Sequence, residues 1–187
     1  MQTEHELFLH GLKDMLDAER QLVEALGKQA EESNRPELRK AFESHREQTQ
    51  NQAERLEQVF ESLEEQAETE ECAGIRGLIQ EHDNFQEEDP SPDILDIFNT
   101  EAALKVERYE ITSYEGLVRL AQEMGHRKAV QLLKQNLKEE QQTERKMEAF
   151  SKKLKPEQMG MGEEEEQEES GRGARGTSSR RRSRRAA

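Results

Sequence analysis

Residues 103–117 read Ala103-Leu104-Lys105-Val106-Glu107-Arg108-Tyr109-Glu110-Ile111-Thr112-Ser113-Tyr114-Glu115-Gly116-Leu117. Ala103, Val106, Tyr114 and Leu117 recur at the spacing of one buried helix face. Glu110 falls among them, and Glu107 lies one turn earlier. A helix that has to bury this face therefore carries carboxylates into its core, and the fold follows from what could meet them there.

Working outward, the same interruption recurs on the other long segments. A first helix is predicted from about Thr3 to Ser33, opened by the capping-box pair Thr3 and Glu6. Its stripe of Leu9, Leu12, Met15, Leu16, Leu22, Val23 and Leu26 is interrupted by Glu19. Pro36, suited to the first turn of a helix, opens a second from about Glu37 to Glu68. Its face of Leu38, Phe42, Leu56, Val59, Phe60 and Leu63 holds His45, Gln48 or Thr49, and Gln52 at its middle. The segment Glu71 to Glu88, with Cys72, Ile75, Leu78 and Ile79, reads as a partly helical crossover, since Gly74 and Gly77 weaken it as an independent helix. Asp89-Pro90-Ser91-Pro92 is a strong break. The third long helix runs from about Asp93 to Met124 and stops at Gly125. The fourth runs from about Arg127 to Leu154, with Leu133, Leu137, Met147 and Phe150 surrounding Glu140 and with Glu144 one turn on.

The short first and third connections make antiparallel neighbours, and one long crossover joins the pairs. That is the connectivity of a ferritin-like antiparallel four-helix bundle. In such a bundle the helix midpoints share a level, so Glu19, Glu107, Glu110 and Glu140 converge on one layer, with His45, Gln52 and Glu144 as further candidates. Uncompensated buried carboxylates repel and lose hydration, at several kcal/mol per ion. They must either keep their protons or surround a cation. Carboxylates and imidazole on facing helices are the ligands of di-iron and di-manganese bundles. The usual Glu-x-x-His is missing, and Glu107 to Glu110 is Glu-x-x-Glu instead. A hydrogen-bonded polar layer with Arg20, Tyr109 or Tyr114 as partners is the alternative.

Composition agrees with a striped-helix core. Of 187 residues, 37% are charged and 31% hydrophobic, too few apolar side chains for a continuous sheet core. The net charge of −14 argues against the bundle itself binding nucleic acid or an anionic membrane. Cys72 is alone, which excludes an internal disulfide and is compatible with a reducing compartment. Neither a signal peptide nor a bilayer-spanning stretch is expected, so the predicted location is cytoplasmic. Cys72 is expected to be packed, and His5, His10, His82 and His126 to lie at the surface.

Asp17-Ala18-Glu19-Arg20-Gln21-Leu22, the stretches Ala41 to His45 and Gln52 to Glu57, Val106 to Ile111, and Leu137 to Glu140 resemble the bacterial YciF-like family. Gly77-Leu78-Ile79 matches too, and the likeness extends over roughly residues 5 to 154. The resemblance implies a ferritin-like fold, a metal centre, a homodimer and a link to stress responses. The family usually carries Glu where this chain has Gln48, and His where it has Arg108. Gln48 removes an anionic ligand candidate, while Arg108 is expected to be peripheral.

A second region, residues 156–187, is expected to be a disordered tail, because it has no apolar face with which to offset the entropy of ordering. It carries an acidic run from Glu163 to Glu169 and then seven arginines from Arg172 to Arg185. Those arginines could bind nucleic acid through its phosphates. Three functions are left open: a di-iron or di-manganese redox or storage protein, a non-catalytic bundle acting by dimerisation or partner binding, and a nucleic-acid-associated protein.

Overall fold

The computed structural model describes residues 2–154. The acidic and arginine-rich tail expected at 156–187 lies outside the described residues. Within them the elements are α1 (Glu4–Glu32), α2 (Pro36–Ser62), α3 (Ala73–Gln86), α4 (Pro92–Glu123) and α5 (Arg127–Ser151).

Helix α1 starts as its sequence requires. Thr3 Oγ1 accepts from the Glu6 amide at 3.1 Å, and the Glu6 carboxylate accepts from the Thr3 amide at 3.2 Å. Phe8, Leu12, Met15, Leu16, Leu22 and Leu26 then bury one face. At the other end the chain reverses through Ser33, Asn34 and Arg35, and Pro36 opens α2 without a side-chain cap of its own. The cap comes from α4. Buried Asp96 accepts from the amides of Asn34 at 2.9 Å and Arg35 at 3.0 Å. One carboxylate thus satisfies two orphan N–H groups and ties the start of α4 to the α1–α2 turn.

Helix α2 ends at Ser62, six residues before the expected Glu68. Its cap Leu63 is followed by Glu64 at φ 61°. Residues 64–71 contain Ala67 as their only apolar side chain, so helix propensity there has no buried face to hold it. The segment runs along α1 instead, with Lys13 meeting Glu68 at 2.6 Å and His10 meeting Glu70 at 2.7 Å. Helix α5 likewise stops three residues short of Leu154.

The long helices form a square. α1 packs beside α2 and α4, and α5 beside α4 and α2. α3 lies over the groove between α1 and α4. It runs in the direction of α1: the Cys72 amide donates to Asp17 Oδ2 at 2.8 Å, and Lys28 meets Asp83 at 2.6 Å. Gly74 is required by close approach, since a Cβ there would lie 2.6 Å from the Tyr109 ring. Gly125, at φ 76°, provides the left-handed turn into α5. Among the described residues no helix is long and apolar enough to cross a membrane.

Candidate metal centre

The helix midpoints fall near residues 18, 49, 107 and 139, and the polar residues of all four stripes meet at that level. Glu19, Gln52, Glu107 and Glu140 are fully inaccessible, and Glu110 and His45 are nearly so. They form two overlapping groups. His45, Glu107 and Glu140 make one, and Glu19, Glu110 and Glu140 the other; in each, one potential ligand atom per residue lies within 4.8 Å of the others. Glu140 belongs to both. His45 Nε2 is 3.4 Å from Glu107 Oε1 and 3.8 Å from Glu140 Oε2.

Hydrogen bonds orient part of this layer. The Tyr114 hydroxyl donates to Glu19 Oε1, and the Gln52 amide donates to Glu140 Oε1. Asn136 Nδ2 donates to the Tyr114 hydroxyl at 2.9 Å and to the Gln52 carbonyl at 3.2 Å. Arg55 closes the chain, donating to Asn136 Oδ1 and, through Nη2, to Glu139 Oε1 at 3.0 Å. Each tethered carboxylate keeps its other oxygen without a partner: Glu19 Oε2 and Glu140 Oε2, joined by both oxygens of Glu107, Glu110 Oε1 and both ring nitrogens of His45. Such orphan acceptors are costly, and a divalent cation would satisfy them. Carboxylate oxygens and one imidazole are a donor set that can hold a metal ion.

Electrostatics leave both remedies open, retained protons or a bound cation. Burial, reinforced by the Glu140 charge, holds Glu19 well above the usual carboxylate range. Burial and the neighbouring carboxylates raise Glu107 and Glu110 likewise. The Tyr114 phenol is also pushed up by burial and by Glu19, so it remains a donor.

The sequence-derived candidates divide. Glu19, His45, Glu107, Glu110 and Glu140 come together, and Gln52 touches Glu140. Glu144 lies at the rim, only partly buried, where Arg108 Nε meets it at 3.2 Å. Arg108 is exposed, in keeping with a peripheral role. Thr49, rather than Gln48, takes the buried position. Of the partners considered for a polar layer, Tyr114 is one. Arg20 instead pairs with Glu57 on the surface, and Tyr109 bonds Asp14 and Cys72 away from the layer.

His82 is not a surface residue. It is buried under α3, with Nε2 2.8 Å from Asn99 Oδ1 and 3.6 Å from Glu32. Its seven-residue spacing from Ile75 put it on the inner face of the crossover helix. Asn136 and Arg55 were also missed. Asn136 precedes Glu140 by four, which places it on the same face, whereas nothing in sequence connects Arg55 to either. Cys72 is packed as expected, and burial pushes its thiol up, away from a reactive thiolate.

A square of four long helices, one long crossover and a carboxylate layer at mid-height define a ferritin-like four-helix bundle. The chain belongs to the family described as Domain of unknown function (DUF892), whose model matches residues 3–159. It is 40% identical over 148 residues to Protein YciF of Escherichia coli strain K12, covering 79% of this chain and 89% of that protein. The crystal structure of the E. coli stress protein YciF superposes with a TM-score of 0.79 at 38% identity, covering 82% of this chain and 98% of that one. YcfI from Rhodopseudomonas palustris gives 0.77 at 39% identity, with 79% and 94% covered. A Xanthomonas campestris pv. campestris protein shares the fold at 19% identity and a TM-score of 0.65, with 81% and 92% covered.

Proposed function

We propose that this chain is a stress-associated, cytoplasmic metal protein. Its mid-bundle layer would hold a pair of iron or manganese ions for redox or metal-handling work. The observation that carries the reading is Glu140, common to two buried ligand groups that hold carboxylate oxygens without hydrogen-bond partners. His45, Glu107 and Glu140 would hold one ion, and Glu19, Glu110 and Glu140 the other. A metal pair so bound supplies Lewis acidity and electrons for oxygen or peroxide chemistry. The chain's own residues do the positioning. Tyr114 and Gln52 each hold one oxygen of a ligand carboxylate and leave the second free, the kind of outer support that sets ligand direction. Burial of these side chains lowers the local dielectric, which strengthens each charge interaction among them. A homodimer belongs to the same reading and is checked by light scattering.

One specific observation favours a second reading, a non-catalytic bundle acting by dimerisation or partner binding. The chain from Arg55 through Asn136 and Tyr114 to Glu19 already ties all four long helices together. Such a polar layer could serve to fix helix register. Elemental analysis of protein prepared with saturating iron or manganese separates the two. The metal reading expects retained metal, lost in the double variant Glu19→Ala with Glu140→Ala. Metal-free wild type under the same supply would leave the second reading standing.

A further inference from the structure

The crossover helix α3 is held at both ends and open beneath its middle. Cys72 and Gly74 pack on Tyr109 and α1 at one end, and His82 and Asp83 bond Asn99 and Lys28 at the other. Between them lies a cavity of about 570 Å³. Small-molecule sites run from about 300 to 1,000 Å³. Its walls are apolar: Leu22 and Leu26 from α1, Leu78 and Ile79 from α3, Ala102 and Val106 from α4. Leu78, Ile79, Ala102 and Val106 are only partly buried, so the cavity leaves them short of apolar neighbours.

The inner end is different. His45 and Glu107 line it, each more than nine-tenths buried, and neither imidazole nitrogen nor either carboxylate oxygen has a hydrogen-bond partner. The solvent side carries the Lys28–Asp83 ion pair, both members partly exposed. Gln21, Glu24, Gln29 and His82 also line the cavity, so its body is mainly apolar, its mouth is wet, and its unpartnered buried polar atoms are at the His45 and Glu107 end. It leads to the ligand group of His45, Glu107 and Glu140.

We propose that this cavity binds a neutral medium-chain organic molecule, its apolar body beneath α3 and a single O–H head group at Glu107 and His45. The apolar walls select the body. The head is decided by the terminus. A hydroxyl donates to a Glu107 oxygen and accepts from the His45 ring. A carboxylate or phosphate head would meet Glu107 and Glu140, while the His45 imidazole at that end already faces both of those carboxylates, at 3.4 and 3.8 Å. An alcohol and an alkyl hydroperoxide share this head chemistry. As the substrate class of the metal centre the inference rests on the proposed function above, but binding itself needs only His45, Glu107 and the walls.

The test uses the full chain, stripped of metal, titrated by calorimetry with 1-decanol, cumene hydroperoxide, decanoate and decylamine. Decanol or the hydroperoxide should bind at least tenfold more tightly than decanoate and decylamine, and the stronger of the two identifies the head preferred. Ala102→Phe, which fills the cavity from a partly exposed position, should weaken that binding at least tenfold. Ala25→Phe on the opposite wall should do the same, so one unfolded variant does not decide the matter. Absence of binding, equal binding of decanoate or decylamine, or full binding by two folded, cavity-filled variants overturns the inference. Metal content measured on Ala102→Phe keeps the two ideas apart. Retained metal with no ligand binding by wild type removes the cavity proposal alone, while decanol binding by a wild type that never retains metal removes the metal reading alone.

Discussion

Replacing Glu19 by Gln should make the metal-free protein more stable and the metal-bound protein less so. Glu19 is fully buried, accepts from Tyr114 at one oxygen, and leaves the other oxygen near Glu110 and Glu140. An amide of the same shape still accepts from Tyr114 and offers N–H donors to those carboxylates, while removing one charge. The sign follows from proton binding. Glu19 in the folded chain is raised well above 4.5 by burial and by Glu140, whereas the unfolded chain titrates near 4.5. Between those values the folded state holds a proton that the unfolded state has released. The stability from that proton is fully present below about pH 4.5 and is lost as pH rises through the raised value. Each pH unit in that window costs up to about 1.4 kcal/mol per retained proton. The variant lacks this loss, so its advantage over wild type should widen by up to about 3 kcal/mol between pH 5 and 7. Urea unfolding of metal-free protein at pH 5, 6 and 7, at equal m-values, measures the difference directly. Adding iron or manganese should then favour wild type, because ligation needs ionised carboxylates. Parallel stability profiles for the two proteins from pH 5 to 7 would refute a buried, like-charged layer at Glu19.

The remaining predictions address other parts of the chain. Gln48→Glu should tighten metal binding in elemental analysis by adding a carboxylate on α2; unchanged retention would put that position outside the centre. Asp96→Ala should lower stability in urea by about 1–3 kcal/mol, since it removes a buried acceptor shared by the amides of Asn34 and Arg35. Leu16→Ala, at a fully buried position, should cost about 2–5 kcal/mol in the same assay. Deleting residues 163–169 should raise the affinity of the chain for DNA at low salt by unmasking the arginines, with a steep fall as salt rises; no binding by either protein removes nucleic acid from the list of partners.

Sequence alone determined the class of fold and the membership of most of the carboxylate layer. Apolar stripes report which face of each helix is buried, and similar helix lengths joined by two tight turns force the midpoints to one level. Glu19, Glu107, Glu110 and Glu140 were therefore legible without coordinates, as was the Thr3 cap, because each depends on spacing within one helix. What the tertiary structure decided depends on pairing between helices. The cap on α2 comes from Asp96 in α4, 61 residues beyond Arg35, and no local pattern announces it. The early end of α2 follows from Lys13 and His10 on α1, which give the acidic segment after it an alternative to helix. Arg55 reaches Asn136 and Glu139 only because α2 lies beside α5. Glu144 and Glu140 are indistinguishable by residue type, yet one is buried and the other pairs with Arg108 at the rim, because four residues on a 3.6-residue helix add about 40° of rotation and the walls close over only one of them. The cavity under α3 is likewise a product of packing: its walls come from three helices, and only their docking leaves the space between them.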